Sequence, residues 1–280
     1  MSYLSLGFML KLRIHLALFL LAVLLTPSLS FGLGSTERGD SYMLTDHWGG
    51  SWTDAEKTLS NTNDTDMCWA AASSNVLEWT GWGQVEGMTN SDEMFGYFQD
   101  HWTNEGGAAG YGWDWWFDGT NDSTDLAQVD VPGGGFYPNG AFGKYYRERG
   151  SDYNAMDNTS NFLREGRGIV LDVFWTKVDG AHSITCWGYN YNPNDPDEYY
   201  GLWITDSDDD KNTDTPGDAL TYYDVELSDG KWFLQDFYNS GPVYIGHVHA
   251  LALNPAPEPA TMSLLALGGL AMLRRKKRKV

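Results

Sequence analysis

The chain has 280 residues, of which 18 are basic and 38 acidic, and a formal net charge of −20 at pH 7. So acidic a chain is a poor partner for phosphates, which excludes nucleic acid as a ligand. Intrinsic disorder is excluded by 13 Trp, 16 Tyr and 12 Phe residues, which can bury large apolar areas.

Residues 1–30 have the pattern of a secretory signal peptide. Lys11 and Arg13 precede an apolar run at 16–25, and small residues follow Pro27. The run is shorter than a membrane-spanning helix requires, so we favour a cleaved signal over an N-terminal anchor. Signal peptidase is therefore an expected partner during export.

The next segment, residues 31–254, has the size of one domain. Residues 31–256 contain ten basic and 37 acidic residues, a formal net charge of −27 that would favour basic or neutral substrates. The only cysteines are Cys68 and Cys186, fewer than a disulfide-stapled exported domain usually has. Either they form one bridge, or one of them is a free reactive thiol.

Apolar residues at a spacing near 3.6 predict a helix from Cys68 to Trp79. One of residues 64–66 would cap its start, and Gly81 would end it. Two further helices are predicted from similar patterns, at 91–102 and 158–165.

Residues 103–143 are rich in glycine and aromatic residues and are predicted to form loops and short strands over a groove. Their densest aromatic stretch is Trp113–Phe117. Three interpretations of this stretch stay open: it would line a substrate cleft, bind a sugar face or pack in the core.

The C-terminal half is predicted to contain five strands separated by turn-forming residues, at 168–176, 182–189, 200–206, 231–238 and 243–253. Helices that precede antiparallel strands make an α+β arrangement.

Cys68 begins the first predicted helix, where the backbone N–H groups and the helix dipole stabilise a thiolate. A thiolate is the attacking species in acyl transfer. His182 opens one predicted strand and Asp206 ends the next, so a hairpin pairing would place the carboxylate beside the imidazole and orient it. Cys186 lies on the His182 strand, on the side of Ile184, and is predicted to pack in the core.

Two other groups of residues have some features of a metal site. Residues 206–210 are acidic, but an EF-hand loop would need Gly and Glu where Lys211 and Gly217 stand, so we predict a solvated turn. His247 and His249 form either a zinc pair or two same-face histidines of a strand, and the sequence shows no third ligand. We therefore expect no metal and no cofactor.

Four stretches occur in a recognisable order: WTDAEKT at 52–58, CWAA at 68–71 followed by Asn75 and Trp79, AHSITCWG at 181–188, and ITDSD at 204–208. Together they resemble the Mac/IdeS family of secreted, immunoglobulin-degrading cysteine endopeptidases. The resemblance implies a papain-like α+β fold, in which an N-terminal helix carrying the Cys packs on an antiparallel sheet carrying the His and Asp.

The resemblance also implies a role for each matched residue. Cys68 would be the nucleophile and His182 the general base, with Asp206 orienting the imidazole and Asp208 as the second acidic residue of that motif. Lys57 would bind the oxyanion together with the N–H of Cys68. Because the segment between Cys and His is shorter than in the immunoglobulin-cutting members, the expected partner is a protein or peptide substrate, not immunoglobulin itself.

The C-terminus shows a second targeting pattern. A Pro-Glu-Pro triad at 257–259 precedes an apolar segment at 262–273 and a basic cluster at 274–279. Residues 257–280 resemble the PEP-CTERM sorting signal of Gram-negative bacteria, which implies transient membrane association, exosortase processing, and a secreted or cell-surface product. The alternative is a simple C-terminal membrane anchor.

These features lead to one leading hypothesis and two alternatives. The first is an exported cysteine endopeptidase that hydrolyses peptide bonds through a Cys-His-Asp triad and a thioester acyl-enzyme. The second is a non-catalytic surface or matrix binding protein on the same fold. The third keeps the triad but transfers the acyl group to an amine, as transglutaminases do.

Overall fold

A computed structural model describes residues 40–119, 128–139, 142–150, 153–177, 179–209, 217–237 and 241–255. The predicted signal peptide at 1–30 and sorting segment at 257–280 lie outside these residues.

The eight described strands belong to one antiparallel sheet: β1 Ser41–Met43, β2 Tyr146–Gly150, β3 Arg167–Trp175, β4 Ala181–Asn192, β5 Asp195–Thr205, β6 Thr221–Ser228, β7 Lys231–Leu234 and β8 Val243–Ala252. The order β4-β3-β8-β7-β6-β5 closes on itself, because β5 also pairs with β4. Outside this ring of six, β1 pairs with β4 and β2 with β8.

The described helices are short: α1 Leu44–Trp48, α2 Cys68–Thr80, α3 Ser91–His101, α4 Ala109–Asp118, α5 Phe142–Tyr145 and α6 Ala155–Arg164.

The predicted papain-like α+β fold is wrong. The chain forms mostly a closed six-stranded antiparallel β-barrel, with extra strands and few helices. The ring is completed by β6, which joins β5 to β7 and was not predicted from the sequence. Only Val225 is buried in β6, so the apolar alternation by which strands are recognised is faint there.

Several local predictions are confirmed, with ends displaced by a few residues. The helices predicted at 68–79, 91–102 and 158–165 correspond to α2, α3 and α6. Gly81 ends α2 in the left-handed conformation, as expected. The predicted side-chain cap is wrong: Met67 is the N-cap residue and makes no side-chain cap hydrogen bond.

The prediction of loops and short strands for 103–143 is wrong where α4 forms. Gly110 and Gly112 weaken the helical signal of this segment. The glycines serve close packing instead, since a Cβ at Gly112 would lie 2.7 Å from the Trp69 ring of α2. Trp113, Trp115, Trp116 and Phe117 are buried, so the aromatic stretch packs in the core.

The apolar side chains form two clusters on opposite faces of the sheet. On β3, Ile169 and Leu171 belong to the cluster inside the ring, and Val170 to the cluster beneath α2, α3 and α4. Successive side chains of a strand point to opposite faces, so β3 contributes to both clusters. The start of α2 and the adjoining ends of β4 and β5 are thereby held together.

Candidate active site

Cys68 is the first residue of α2 and is half-buried. The N–H groups of a first helical turn lack acceptors within the helix, and they favour a negative charge at that end. Just before the helix, the N–H of Met67 donates to the carbonyl of Asp64 at 2.9 Å. This turn fixes the thiol at the helix start.

The pairing of β4 with β5 brings His182 and Asp206 together. Thr185 lies opposite Thr205 in the register, so the start of β4 meets the residues that follow β5. Nε2 of His182 lies 2.6 Å from Oδ1 of Asp206, and both side chains are about 5% exposed. With Nε2–H donated to the carboxylate, Nδ1 is the nitrogen left to exchange a proton with a nucleophile.

The thiol of Cys68 and the imidazole of His182 form a hydrogen-bonded pair. Burial acts to raise the pKa of Cys68, but the hydrogen bond and charge of His182, together with the charge of Lys57, lower it overall. Burial acts to lower the pKa of His182, but Asp206 and Cys68 hold that pKa well above its usual value. Both shifts favour a thiolate–imidazolium pair.

Lys57 and Asp208 adjoin this pair. Nζ of Lys57, a residue 1% exposed, lies 2.6 Å from Oδ1 of Asp208 and donates to the carbonyl of Thr65 at 3.0 Å. The N–H of Asp208 donates to Oδ1 of Asp206 at 3.1 Å, and its Oδ2 lies 4.0 Å from Nδ1 of His182. All five residues singled out in the sequence therefore converge on one site.

Asn75, a buried residue of α2, holds the site's framework together. Its Oδ1 accepts from the N–H of Ala55 at 2.7 Å, and its Nδ2 donates to Oγ1 of Thr185 at 3.1 Å. Oγ1 of Thr205 in turn donates to the carbonyl of Thr53 at 3.1 Å. No role was predicted for Asn75 from the sequence, although a polar side chain on the buried side of a helix was a usable signal.

Cys186 is fully buried inside the ring, and its predicted core position is confirmed. Burial raises the pKa of its thiol to about 12. Both cysteines are free, so the structure has no bridge between Cys68 and Cys186. Nucleophilic thiol chemistry in this structure is therefore open to Cys68 and not to Cys186.

Three carboxylates, those of Asp54, Glu56 and Asp209, form a group next to Lys57 and Asp208 in the chain. Side-chain oxygens of Asp54, Glu56 and Asp209 lie within 4.8 Å of one another. Burial, reinforced by neighbouring acidic groups, raises the pKa of Asp54 to about 8 and that of Glu56 to about 10. Asp209 thus belongs to a partly buried acidic group, not the solvated turn predicted for it, and Asp210 lies outside the described residues.

A cavity of about 390 Å³ opens beside this group. Four carboxylate side chains line it: Glu56, Asp64, Asp92 and Asp218. Such a lining attracts cationic groups.

Comparison with known proteins establishes the targeting of the chain. Residues 255–279 match the family model of the PEP-CTERM protein-sorting motif. The motif marks an exported protein, typically of a Gram-negative bacterium, and implies exosortase processing during export. Among the helices that the structure describes, none combines the length and the apolar character needed to cross a membrane.

The catalytic resemblance gains no support from these comparisons. No match points to the Mac/IdeS family. A search of curated proteins found no significant match to the chain. The comparisons therefore identify a sorting motif and no catalytic family.

Proposed function

We propose that the protein is an exported cysteine endopeptidase with Cys68 as nucleophile. The observation that carries the proposal is the chain of hydrogen bonds from the Cys68 thiol through His182 to Asp206. The thiol lies at a helix start, the imidazole has one nitrogen fixed by a carboxylate, and the second nitrogen faces the thiol. This combination is the general arrangement of an activated nucleophile.

In the proposed reaction, the Cys68 thiolate attacks the carbonyl carbon of a peptide bond. As the C–N bond breaks, His182 gives its Nδ1 proton to the leaving amine, and a thioester remains on Cys68. Water then attacks the thioester while His182 accepts a proton from it, and the acid product and the thiol are released. Asp206 holds the imidazole in the required tautomer throughout.

The charge that develops on the carbonyl oxygen needs hydrogen-bond donors. The N–H of Cys68 is one, since the first turn of α2 offers it no acceptor. Lys57 is the other candidate. Its ammonium group has three N–H donors, of which Asp208 and Thr65 take two.

The substrate class follows from the charge of the site. The acidic cavity and the net charge of the domain favour proteins or peptides with a basic side chain near the cleaved bond. The resemblance of four sequence motifs to the Mac/IdeS family favours peptide-bond cleavage, although the papain-like fold expected from it is wrong. Exosortase processing would release the mature peptidase from the cell or leave it on the cell surface.

The first test is intact mass after iodoacetamide treatment of the purified protein, with and without prior reduction, from pH 5 to 8. We expect one label, already rapid below pH 7 because the pKa of Cys68 is lowered. Cys68→Ser should abolish both labelling and cleavage of a denatured protein substrate. Cys186→Ser is the matched control and should retain both, because the Cys186 thiol is buried.

Absence of labelling in reduced, folded protein would contradict the proposal and favour a binding protein. Labelling that appears only after reduction would mean that Cys68 and Cys186 are bridged, which would also count against it. If a substrate is consumed, the mass of the products separates hydrolysis from acyl transfer to an amine.

A further inference from the structure

The polar face of β8 carries a second group of chemically reactive side chains. His247 and His249 project from the same face because they are two residues apart on the strand. On the neighbouring strand β2, Glu148 lies opposite His249 in the register. One ligand atom from each of these three residues lies within 4.8 Å of the others.

We propose that Glu148, His247 and His249 form a binding site for a divalent transition-metal ion of the zinc type. Two imidazoles and one carboxylate are a usual ligand set for zinc with an open fourth position. Nδ1 of His247 lies 3.0 Å from Oε1 of Glu148. Two ligands at tetrahedral positions around a zinc ion are about 3.3 Å apart, so this pair is already close to the required spacing.

Asp172 on β3 supplies the support that metal-binding histidines usually have. Its Oδ2 lies 2.9 Å from Nε2 of His249, and its Oδ1 accepts from Oγ of Ser183 at 2.6 Å. A histidine that donates one ring N–H to a carboxylate presents the lone pair of the other nitrogen to a metal. Nδ1 of His249 is therefore the metal-binding nitrogen.

Tyr146 occupies the metal-facing side of His249, with its hydroxyl 2.8 Å from Nδ1. The same hydroxyl lies 3.1 Å from Oε2 of Glu148. On metal binding the phenol would keep its hydrogen bond to that carboxylate oxygen and give up its contact with the histidine. Glu148 would then bind the ion through Oε1, and a water molecule would complete the coordination.

The site is open to an ion from solution. The side chains of His247 and Glu148 are 43% and 45% exposed, whereas His249 is 3% exposed. The strand β2 pairs with β8 outside the closed ring. A bound ion would link these two strands through side chains as well as through their backbone hydrogen bonds, and would stabilise this edge.

The test is titration of the purified full chain, stripped with EDTA, with Co²⁺ and with Zn²⁺ in excess Ca²⁺. Co²⁺ reports coordination by visible absorption, Zn²⁺ affinity is measured by calorimetry, and thermal unfolding reports stabilisation. All variants carry Cys68→Ser, so that the thiol and His182 cannot hold the ion together. This background also makes the outcome independent of the proposed peptidase activity.

We expect one equivalent of metal to bind and to raise Tm. Glu148→Gln changes an exposed side chain and should fold normally, yet lose the metal-induced rise in Tm. Asp172→Asn should weaken zinc affinity by about 10- to 100-fold. His101→Gln, which alters a histidine of α3, is the matched control and should bind as the parent does.

Either of two results would overturn the inference. One is the absence of visible cobalt bands and of any rise in Tm in the parent chain. The other is unchanged zinc affinity in both His247→Ala and Glu148→Gln. The three residues would then form a hydrogen-bonded network that binds no metal.

Discussion

Two buried histidine–aspartate pairs lie on the same sheet and differ in what faces the second ring nitrogen. Nε2 of His182 bonds Asp206 at 2.6 Å, and Nε2 of His249 bonds Asp172 at 2.9 Å. In the first pair the other nitrogen faces the thiol of Cys68, and in the second it faces the phenol of Tyr146 and the carboxylate of Glu148. The carboxylate fixes the tautomer in both, so the chemistry depends on the group at Nδ1.

Ser183 connects the two pairs. Its N–H donates to the sulfur of Cys68, and its hydroxyl donates to Asp172. Ser183 follows His182 directly on β4, and neighbouring residues of a strand point to opposite faces. Ser183 thus contacts both the proposed nucleophile and the carboxylate that supports the proposed metal ligand His249.

The largest expected difference between the pairs is in catalysis. His182→Gln should lower kcat/KM for peptide cleavage by about 10³-fold or more, because it removes the group that moves the proton. His249→Gln should lower it by less than about tenfold, since that ring does not contact the thiol. Kinetics of both variants, after circular dichroism confirms their folding, would test this contrast. Equal losses would refute the division of roles.

The next prediction concerns the pH dependence of stability caused by Asp54, a buried acid hydrogen-bonded to Glu56. The pKa of Asp54 is raised to about 8, above its value in the unfolded chain. The folded state therefore keeps a proton that the unfolded state loses, so the contribution of Asp54 to stability is present at low pH and is lost as the pH rises towards 8. Asp54→Asn removes the part of this dependence that comes from Asp54, leaves the part from Glu56, and should stabilise the protein at pH 8 by about 1 to 3 kcal/mol.

Thermal unfolding from pH 5 to 8 measures this effect in Asp54→Asn and the parent. The gain in Tm should be small at pH 5 and grow towards pH 8. A gain that is constant across this range would indicate a change in packing and not in ionisation. Asp224→Asn, on the partly exposed strand β6, is the matched control and should leave the pH profile unaltered.

The smallest effect on cleavage and on zinc affinity is expected from substitution of Ser183, which contacts both Cys68 and Asp172. Ser183→Ala removes the hydroxyl bond to Asp172 but keeps the N–H that faces Cys68, so cleavage should change by less than about threefold. Zinc affinity should fall by a few-fold, because the support of His249 is weakened but not lost. A large loss of cleavage with intact folding would show that the two sites are coupled.

Much of the candidate site could be predicted from local patterns. The helix at Cys68, its end at Gly81 and the strands of His182 and Asp206 all follow from periodicities within a dozen residues. The encounter of His182 with Asp206 required one further step, the pairing of consecutive strands. Lys57 was identified through a motif resemblance, and its contacts with Asp208 and Thr65 were not foreseen.

What the sequence by itself determined is the set of short elements, their order and the residues that carry chemistry, because turn residues and apolar spacing act locally. Only the tertiary structure decided that β6 closes the ring, that α4 packs Gly112 against Trp69, and that Glu148 joins His247 and His249. These outcomes depend on which distant strands and helices meet and in which register. That choice is made by the packing of whole faces, which no local spacing records.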